Sequence, residues 1–64
     1  MDQAMTTGEQ LLFRPTEAAQ RLGIGRTKVY ELMRSGALRS VKVGGARRVS
    51  ATALVDFVAR LDAA

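Results

Sequence analysis

The order of apolar and polar residues divides the chain into three helical segments and one alternating segment. Apolar residues recur at helical spacing over residues 15–22, over residues 26–35, and from Ser50 towards the C-terminus. Over residues 41–49 the period falls to two, which is typical of β-strands. The predicted order is therefore helix, turn, helix, β-hairpin, helix, with no internal repeat and no dividing linker.

Glycine and proline mark the predicted ends of the first two helices. Pro15 suits the first helical position, where its missing N–H costs nothing, but Arg14 before it is a poor N-cap, so we expect this helix to fray. Gly23 and Gly36 are placed to end the first and second helices, because the residue just past a helix often needs a positive φ. Gly25 falls where the second helix needs its N-cap.

The alternating segment predicts a small hairpin with a basic surface. Val41 and Val43 point one way and Lys42 the other, and the residues Gly44-Gly45-Ala46 reverse the chain. Ser50 is a suitable N-cap for the last helix. We predict a core formed by the apolar residues that share the inward faces: Val29, Leu32, Met33, Val41, Val43, Leu54, Phe57 and Val58.

Composition excludes several classes of function. The chain has 64 residues, with no cysteine and no histidine, so disulfides, zinc sites and histidine-based catalysis are absent by inventory. Residues 1–10 lack periodicity and are predicted as a flexible tail, with one domain over residues 11–64 and a short apolar anchor at its start. The polar N-terminus and the lack of a long apolar run predict an intracellular protein that is not membrane-bound. No pair of carboxylates is placed for acid–base catalysis, so we do not expect an enzyme. We expect no cofactor.

Charge is concentrated in the middle of the chain. Residues 21–48 hold eight basic side chains against the single acid Glu31, whereas the remaining residues hold two basic and five acidic ones. Charge runs are often only solvated surfaces. A middle this basic between slightly acidic ends nevertheless favours a polyanion as partner.

The segment Gly23-Ile24-Gly25 has two readings, a phosphate-binding loop or a turn. A dinucleotide fingerprint needs a third glycine where Lys28 stands, and a strand rather than a helix before it. Two short helices joined by a tight glycine turn instead form a helix-turn-helix, or a plain helical hairpin used for packing. The basic residues on the outward face of the second helix favour the DNA-binding form, in which that helix lies in the major groove.

The span from Leu12 to Leu61 resembles the excisionase and MerR-like winged helix-turn-helix DNA-binding domains of phages and mobile elements. The resemblance rests on TEAAQRLGIGRTKVYELMRSGAL, on VKVGGARRV, and on the closing amphipathic helix. It implies that residues 26–34 lie in the major groove and that residues 42–48 form a wing. Two features depart from the family pattern: Gly25 stands where serine or threonine is usual, and Gly45 and Ala46 stand at the wing tip where arginines are common.

Nine side chains are candidates for DNA contact because they are basic or polar and lie on the second helix or around the wing. Of the two wing arginines, Arg48 is the first choice because it alternates away from Val49. Glu31 is expected to pair with Arg34 within the helix rather than to read a base. The candidates are Arg26, Thr27, Lys28, Tyr30, Arg34, Arg39, Lys42, Arg47 and Arg48.

The resemblance implies an excisionase, or recombination directionality factor. Such a protein would bind tandem sites on double-stranded DNA cooperatively with neighbouring protomers, bend the DNA, and bias a phage-type integrase toward excision. A small transcriptional regulator with the same fold is the alternative, and a protein-interaction module is a third possibility that leaves the basic middle unexplained. The expected location is the cytoplasm of a bacterial host, associated with the nucleoid.

Overall fold

Three helices and a small antiparallel sheet make up residues 10–63, the part of the chain that the computed structural model describes. The predicted tail lies outside these residues, apart from Gln10. The order of elements confirms the predicted winged helix-turn-helix class. The elements are β1 (Leu12–Phe13), α1 (Pro15–Leu22), α2 (Arg26–Ser35), β2 (Val41–Val43), β3 (Ala46–Ser50) and α3 (Ala51–Ala63).

The N-terminus of α1 is held by Glu17 rather than by the residue that precedes the helix. The Glu17 carboxylate accepts a hydrogen bond from the backbone N–H of Arg14 at 2.8 Å. An arginine side chain has no acceptor, so only this half of a capping box can form. The expected weakness at Arg14 is therefore offset by a partner that lies three residues into the helix.

The turn between α1 and α2 uses its two glycines as the sequence predicts. Gly23 ends α1 with φ at +72°, in the left-handed region that glycine adopts without a Cβ clash. Gly25 is extended, with φ at −76°, and caps α2 without any side-chain hydrogen bond. Gly36 ends α2 with φ at +87°, so the predicted bounds of both helices are confirmed.

The sheet has three strands in the order β1-β3-β2, with both outer strands antiparallel to β3. Gly44 and Gly45 close the hairpin with φ at +60° and +87°, which suits the two-residue turns that match strand twist. Ala46, predicted in the turn, instead begins β3. Strand β1 was not predicted as a strand, because two residues are too few to show a period.

The core lies where α1, α2 and α3 meet the face of β3 that carries Val49. Among the predicted core residues, Val29, Met33, Leu54 and Phe57 are buried, and Leu32 packs against them partly exposed. The Ser50 hydroxyl caps α3 by accepting the N–H of Ala53 at 3.0 Å, as predicted. The buried residues of this core are Phe13, Ala18, Ala19, Val29, Met33, Leu38, Val49, Ala53, Leu54 and Phe57.

Three of the predicted core residues were wrong. Val41 and Val43 are 49% and 51% exposed. Val41 lies opposite Arg48, which alternates with the buried Val49, so both valines lie on the sheet face that turns away from the core. Val58 is 42% exposed because the core side of α3 is centred on Ala53 and Phe57, and Val58 lies at its rim.

Candidate nucleic-acid interface

The burial of Val29 and Met33 fixes which face of α2 meets solvent. With these two side chains inward, the five candidate residues of the helix are all exposed. Thr27, Glu31 and Arg34 lie on the side of the helix opposite the buried residues, since a helix has 3.6 residues per turn. The structure thus presents the polar face that the sequence predicts; these candidates are Arg26, Thr27, Lys28, Tyr30 and Arg34.

The N-terminus of α2 is open to an anion. Gly25 offers no side-chain acceptor to the N–H groups of the first turn, and that turn contains no acidic residue. Arg26 and Lys28 lie beside these N–H groups on the exposed surface. A helix N-terminus with uncapped N–H groups and neighbouring cations favours phosphate.

Glu31 does not pair as predicted. Its carboxylate lies 3.8 Å from the Lys28 ammonium, and both side chains are largely exposed. Lys28 and Arg34 are each three residues from Glu31, so spacing alone could not predict which of them pairs with Glu31. Arg34 lies on the other flank of Glu31, where it lines a small groove with Tyr30 and Arg47.

The register of the hairpin separates the two wing arginines. Lys42 and Arg47 are directly opposite each other and share one face, whereas Arg48 lies opposite Val41 on the other face. Arg47 donates from Nη1 to the Ser40 hydroxyl at 2.9 Å. Two cations directly opposite each other repel, so an anion between or over them would be stabilising.

The small groove joins the wing to α2. It encloses about 280 Å³ and is lined by Tyr30, Met33, Arg34 and Arg47. A larger open groove of about 500 Å³ shares Met33 and Arg47 with it and continues past Arg39 and Ser40 to the start of α3. Together the two grooves run along one side of the domain between α2, the wing and α3.

Arg39 is engaged within the domain. Its Nη2 lies 3.0 Å from Oδ2 of Asp56 on α3, and both side chains are about half exposed or more. The Arg48 guanidinium donates to the backbone carbonyl oxygen of Arg47 at 2.8 Å. The structure thus brings Tyr30, Arg34 and Arg47 together on the small groove and places Arg39 with Arg47 on the larger one. Arg48 lies on the other face of the hairpin. Contact of the nine candidates with DNA stays a prediction.

Sequence reasoning passed over two hydroxyl residues that line the larger groove. Ser40 and Thr52 lie on it beside Arg39 and Arg47. Serine and threonine next to element ends are typical of loops and caps, which is why they drew no attention. Their position on either side of the predicted wing is the sequence feature that could have indicated them.

Within residues 10–63, every helix is too short or too polar to cross a membrane.

Comparison with known proteins identifies relatives of this chain. A family model described as a helix-turn-helix domain matches residues 12–62. A probable excisionase from Saccharopolyspora erythraea is 48% identical over 52 residues, covering 81% of this chain and 53% of that protein. An excisionase from Streptomyces ambofaciens is 46% identical over 54 residues, covering 84% of this chain and 87% of that protein.

A more distant relative is the magnetosome protein MamR of Paramagnetospirillum magneticum, which is 39% identical over 57 residues, covering 83% of this chain and 68% of that protein. No solved structure matches the chain. The chain spans about half the length of the Saccharopolyspora relative but most of the Streptomyces one. The matched span covers all six elements, from β1 to the last turn of α3. The chain therefore belongs to the helix-turn-helix family of DNA-binding domains, of the excisionase type.

Proposed function

We propose that this protein acts as an accessory factor in the excision of a phage or mobile element. It binds tandem sites on double-stranded DNA, bends the duplex, and biases a phage-type integrase toward excision. The observation that carries the proposal is a basic surface running from α2 to the wing in a domain whose relatives include excisionases. A family of this type is not an enzyme class, and the proposed role needs no catalytic residue.

In this proposal α2 lies in the major groove. Thr27 and Arg34 read base edges, since arginine forms paired hydrogen bonds with guanine O6 and N7. Arg26 and Lys28 bind phosphate at the N-terminus of the helix. The Tyr30 hydroxyl reaches a phosphate at the rim of the small groove, which Tyr30 lines.

The wing supplies the second set of contacts. Lys42 and Arg47 lie on one face of the hairpin, and Arg47 lines the groove beside α2. We assign them to the DNA backbone next to the major groove. Arg48 lies on the other face and Arg39 at the base of the wing, and we assign both to peripheral phosphates.

Architecture, rather than single-site affinity, is the proposed basis of selectivity. A single module of this size buries roughly 600–1,000 Å² on DNA, which is little for a selective lone site. Bending a 20–30 base-pair site costs on the order of 1–6 kcal/mol. Neighbouring protomers on successive repeats can share that cost, so binding is expected to be cooperative and the bend to grow as sites fill.

The test is a mobility-shift titration on duplexes that carry one, two or three direct repeats of a selected site. Circular permutation of the same repeats measures the bend. Cooperative binding with a bend that increases from one to three sites supports the architectural role. Independent binding to an unbent duplex would favour the small transcriptional regulator instead.

An excision assay with an integrase then separates the two roles directly. With a cognate integrase and paired attachment sites, the protein is expected to raise the yield of excision and not that of integration. An unchanged ratio of excision to integration would remove the excisionase role while leaving DNA binding intact.

A further inference from the structure

The segment between α2 and the wing is fixed to the rest of the domain by buried and backbone contacts. Leu38 is fully buried, and its N–H donates to the carbonyl oxygen of Leu32 at 3.0 Å. Arg60 of α3 donates from Nη2 to the carbonyl oxygen of Ala37 at 2.6 Å. The backbone of this segment therefore does not depend on the side chain of Arg39 for its position.

The Arg39–Asp56 ion pair is not buried. The two side chains are 64% and 49% exposed, so water and salt screen their attraction. Arg39 lines the larger groove together with Ser40, Arg47 and Thr52, whereas Asp56 is not among the residues that line it. Asp56 thus holds an arginine that lies at the edge of the basic surface.

We propose that Asp56 and a DNA backbone phosphate compete for Arg39, so that Asp56 lowers the affinity of the protein for any duplex. On binding, Arg39 leaves the carboxylate and pairs with a phosphate seated in the larger groove, beside Ser40, Thr52 and Arg47. Arginine forms paired hydrogen bonds with carboxylate and phosphate alike, so one partner can replace the other. This inference rests on the proposed DNA binding and adds Asp56 as a residue that weakens that binding.

The experiment compares Asp56→Asn with Asp62→Asn. Both changes remove one negative charge from α3, but Asp62 lies six residues further along the helix. Equilibrium affinity for a random duplex is measured by fluorescence anisotropy over a range of salt concentrations. Asp56→Asn is expected to raise affinity about two- to fivefold, the range set by a surface ion pair, and Asp62→Asn by clearly less.

Arg39→Ala supplies the second half of the double-mutant cycle. Because the exchange gives Arg39 a phosphate contact, Arg39→Ala should reduce the steepness of the log–log salt dependence by about 0.9. In the Arg39→Ala background, Asp56→Asn should no longer raise affinity. Thermal unfolding of each variant at low salt reports whether the fold is retained, and the fixed backbone predicts that it is.

Three results would overturn the proposal. One is an equal gain from Asp56→Asn and Asp62→Asn, another is a gain that persists without Arg39, and the third is a loss of affinity in Asp56→Asn. A wild-type protein that shows no salt-dependent binding would instead remove the proposed DNA-binding role itself. The two failures are therefore distinguishable in one set of titrations.

Discussion

Arg34 and Arg47 line the same small groove but come from different elements, and we expect them to act differently on DNA. Replacing Arg34 with alanine should cost about 1–3 kcal/mol on a preferred site and relax base preference, because Arg34 faces the major groove in the proposed complex. Replacing Arg47 with alanine should weaken preferred and random duplexes alike and flatten the salt dependence by about one unit. Anisotropy titrations on both duplexes measure the two effects.

Arg48→Ala is the matched control, since it removes the same charge from the other face of the hairpin. Its effect should be smaller than that of Arg47→Ala. If Arg48→Ala loses as much affinity as Arg47→Ala or more, Arg48 would be the main wing contact, as the sequence alone predicts. Equal losses on both duplexes in Arg34→Ala would mean that α2 does not read the bases.

Glu17 links the stability of α1 to pH. The hydrogen bond from the Arg14 N–H lowers the pKa of the Glu17 carboxyl below its ordinary 4.5; burial opposes this shift, while Gln10 and the charges of Arg14 and Arg48 assist it. A depressed pKa means that the carboxylate stabilises the fold at pH values above 4.5. This contribution is lost as the pH falls through the lowered pKa.

Thermal unfolding between pH 7 and pH 3 measures this contribution. Glu17→Gln should lower the Tm at pH 7, and the difference from the wild type should shrink below pH 4.5. Glu31→Gln removes a carboxylate on α2 and should retain the wild-type dependence at α1. A constant difference between wild type and Glu17→Gln across this range would show that the ionised form of Glu17 is not what holds the helix.

At the scale of elements, the two glycines of the turn have opposite requirements. A Cβ atom added at Gly25 would meet nothing within 4 Å, and the φ of Gly25 is negative. Gly25→Ser should therefore stabilise the domain by about 0.5–1 kcal/mol, through a side-chain cap and a less flexible unfolded chain. Gly23→Ser has equal space, but its φ of +72° makes it destabilising by about 1–2 kcal/mol.

Urea denaturation of the two variants gives the free energy of unfolding for each. The same substitution two residues apart separates backbone conformation from side-chain size, because both sites have room. A change of the same sign at both positions would contradict the conformational explanation.

The helices and the hairpin could be predicted from the sequence because their signals are local. Glycine at 23, 36, 44 and 45 marks positions of positive φ, and Ser50 is a direct N-cap signal. Strand β1 could not be predicted, since its two residues become a strand only by pairing with β3. The burial of Val41 and Val43 was misjudged because alternation identifies two faces but not which of them meets the core.

The candidate site was predictable in composition but not in grouping. Exposure of the polar face of α2 follows from the positions of Val29 and Met33 along the helix. Arg34 and Arg47 line one groove, and Arg39 pairs with Asp56, only because distant parts of the chain come into contact. These contacts leave no periodic trace in the sequence.

For the whole molecule, the basic residues on α2 and around the wing predict a strong dependence of binding on salt. With four to six phosphate contacts, the log–log slope should be about −4 to −5 per protomer. The measurement is a titration against random duplex DNA at salt concentrations from low to physiological. A slope near zero would exclude DNA as the partner, whatever the sequence similarity.

The central position of β3 also determines how the wing can move. β3 pairs with β1 on one side and with β2 on the other, and α3 begins at the residue that follows it. At the base of the wing, Val49 and Ser50 pair with β1 and Val49 is fully buried, so separating the base from the core requires the domain to open as a unit. The amide hydrogen of Val49, which is buried and pairs with Phe13 of β1, should therefore exchange with solvent about as slowly as global unfolding permits. Those of Gly44 and Gly45 in the turn should exchange far sooner, so the tip of the wing can adapt to the duplex while its base stays fixed to the core.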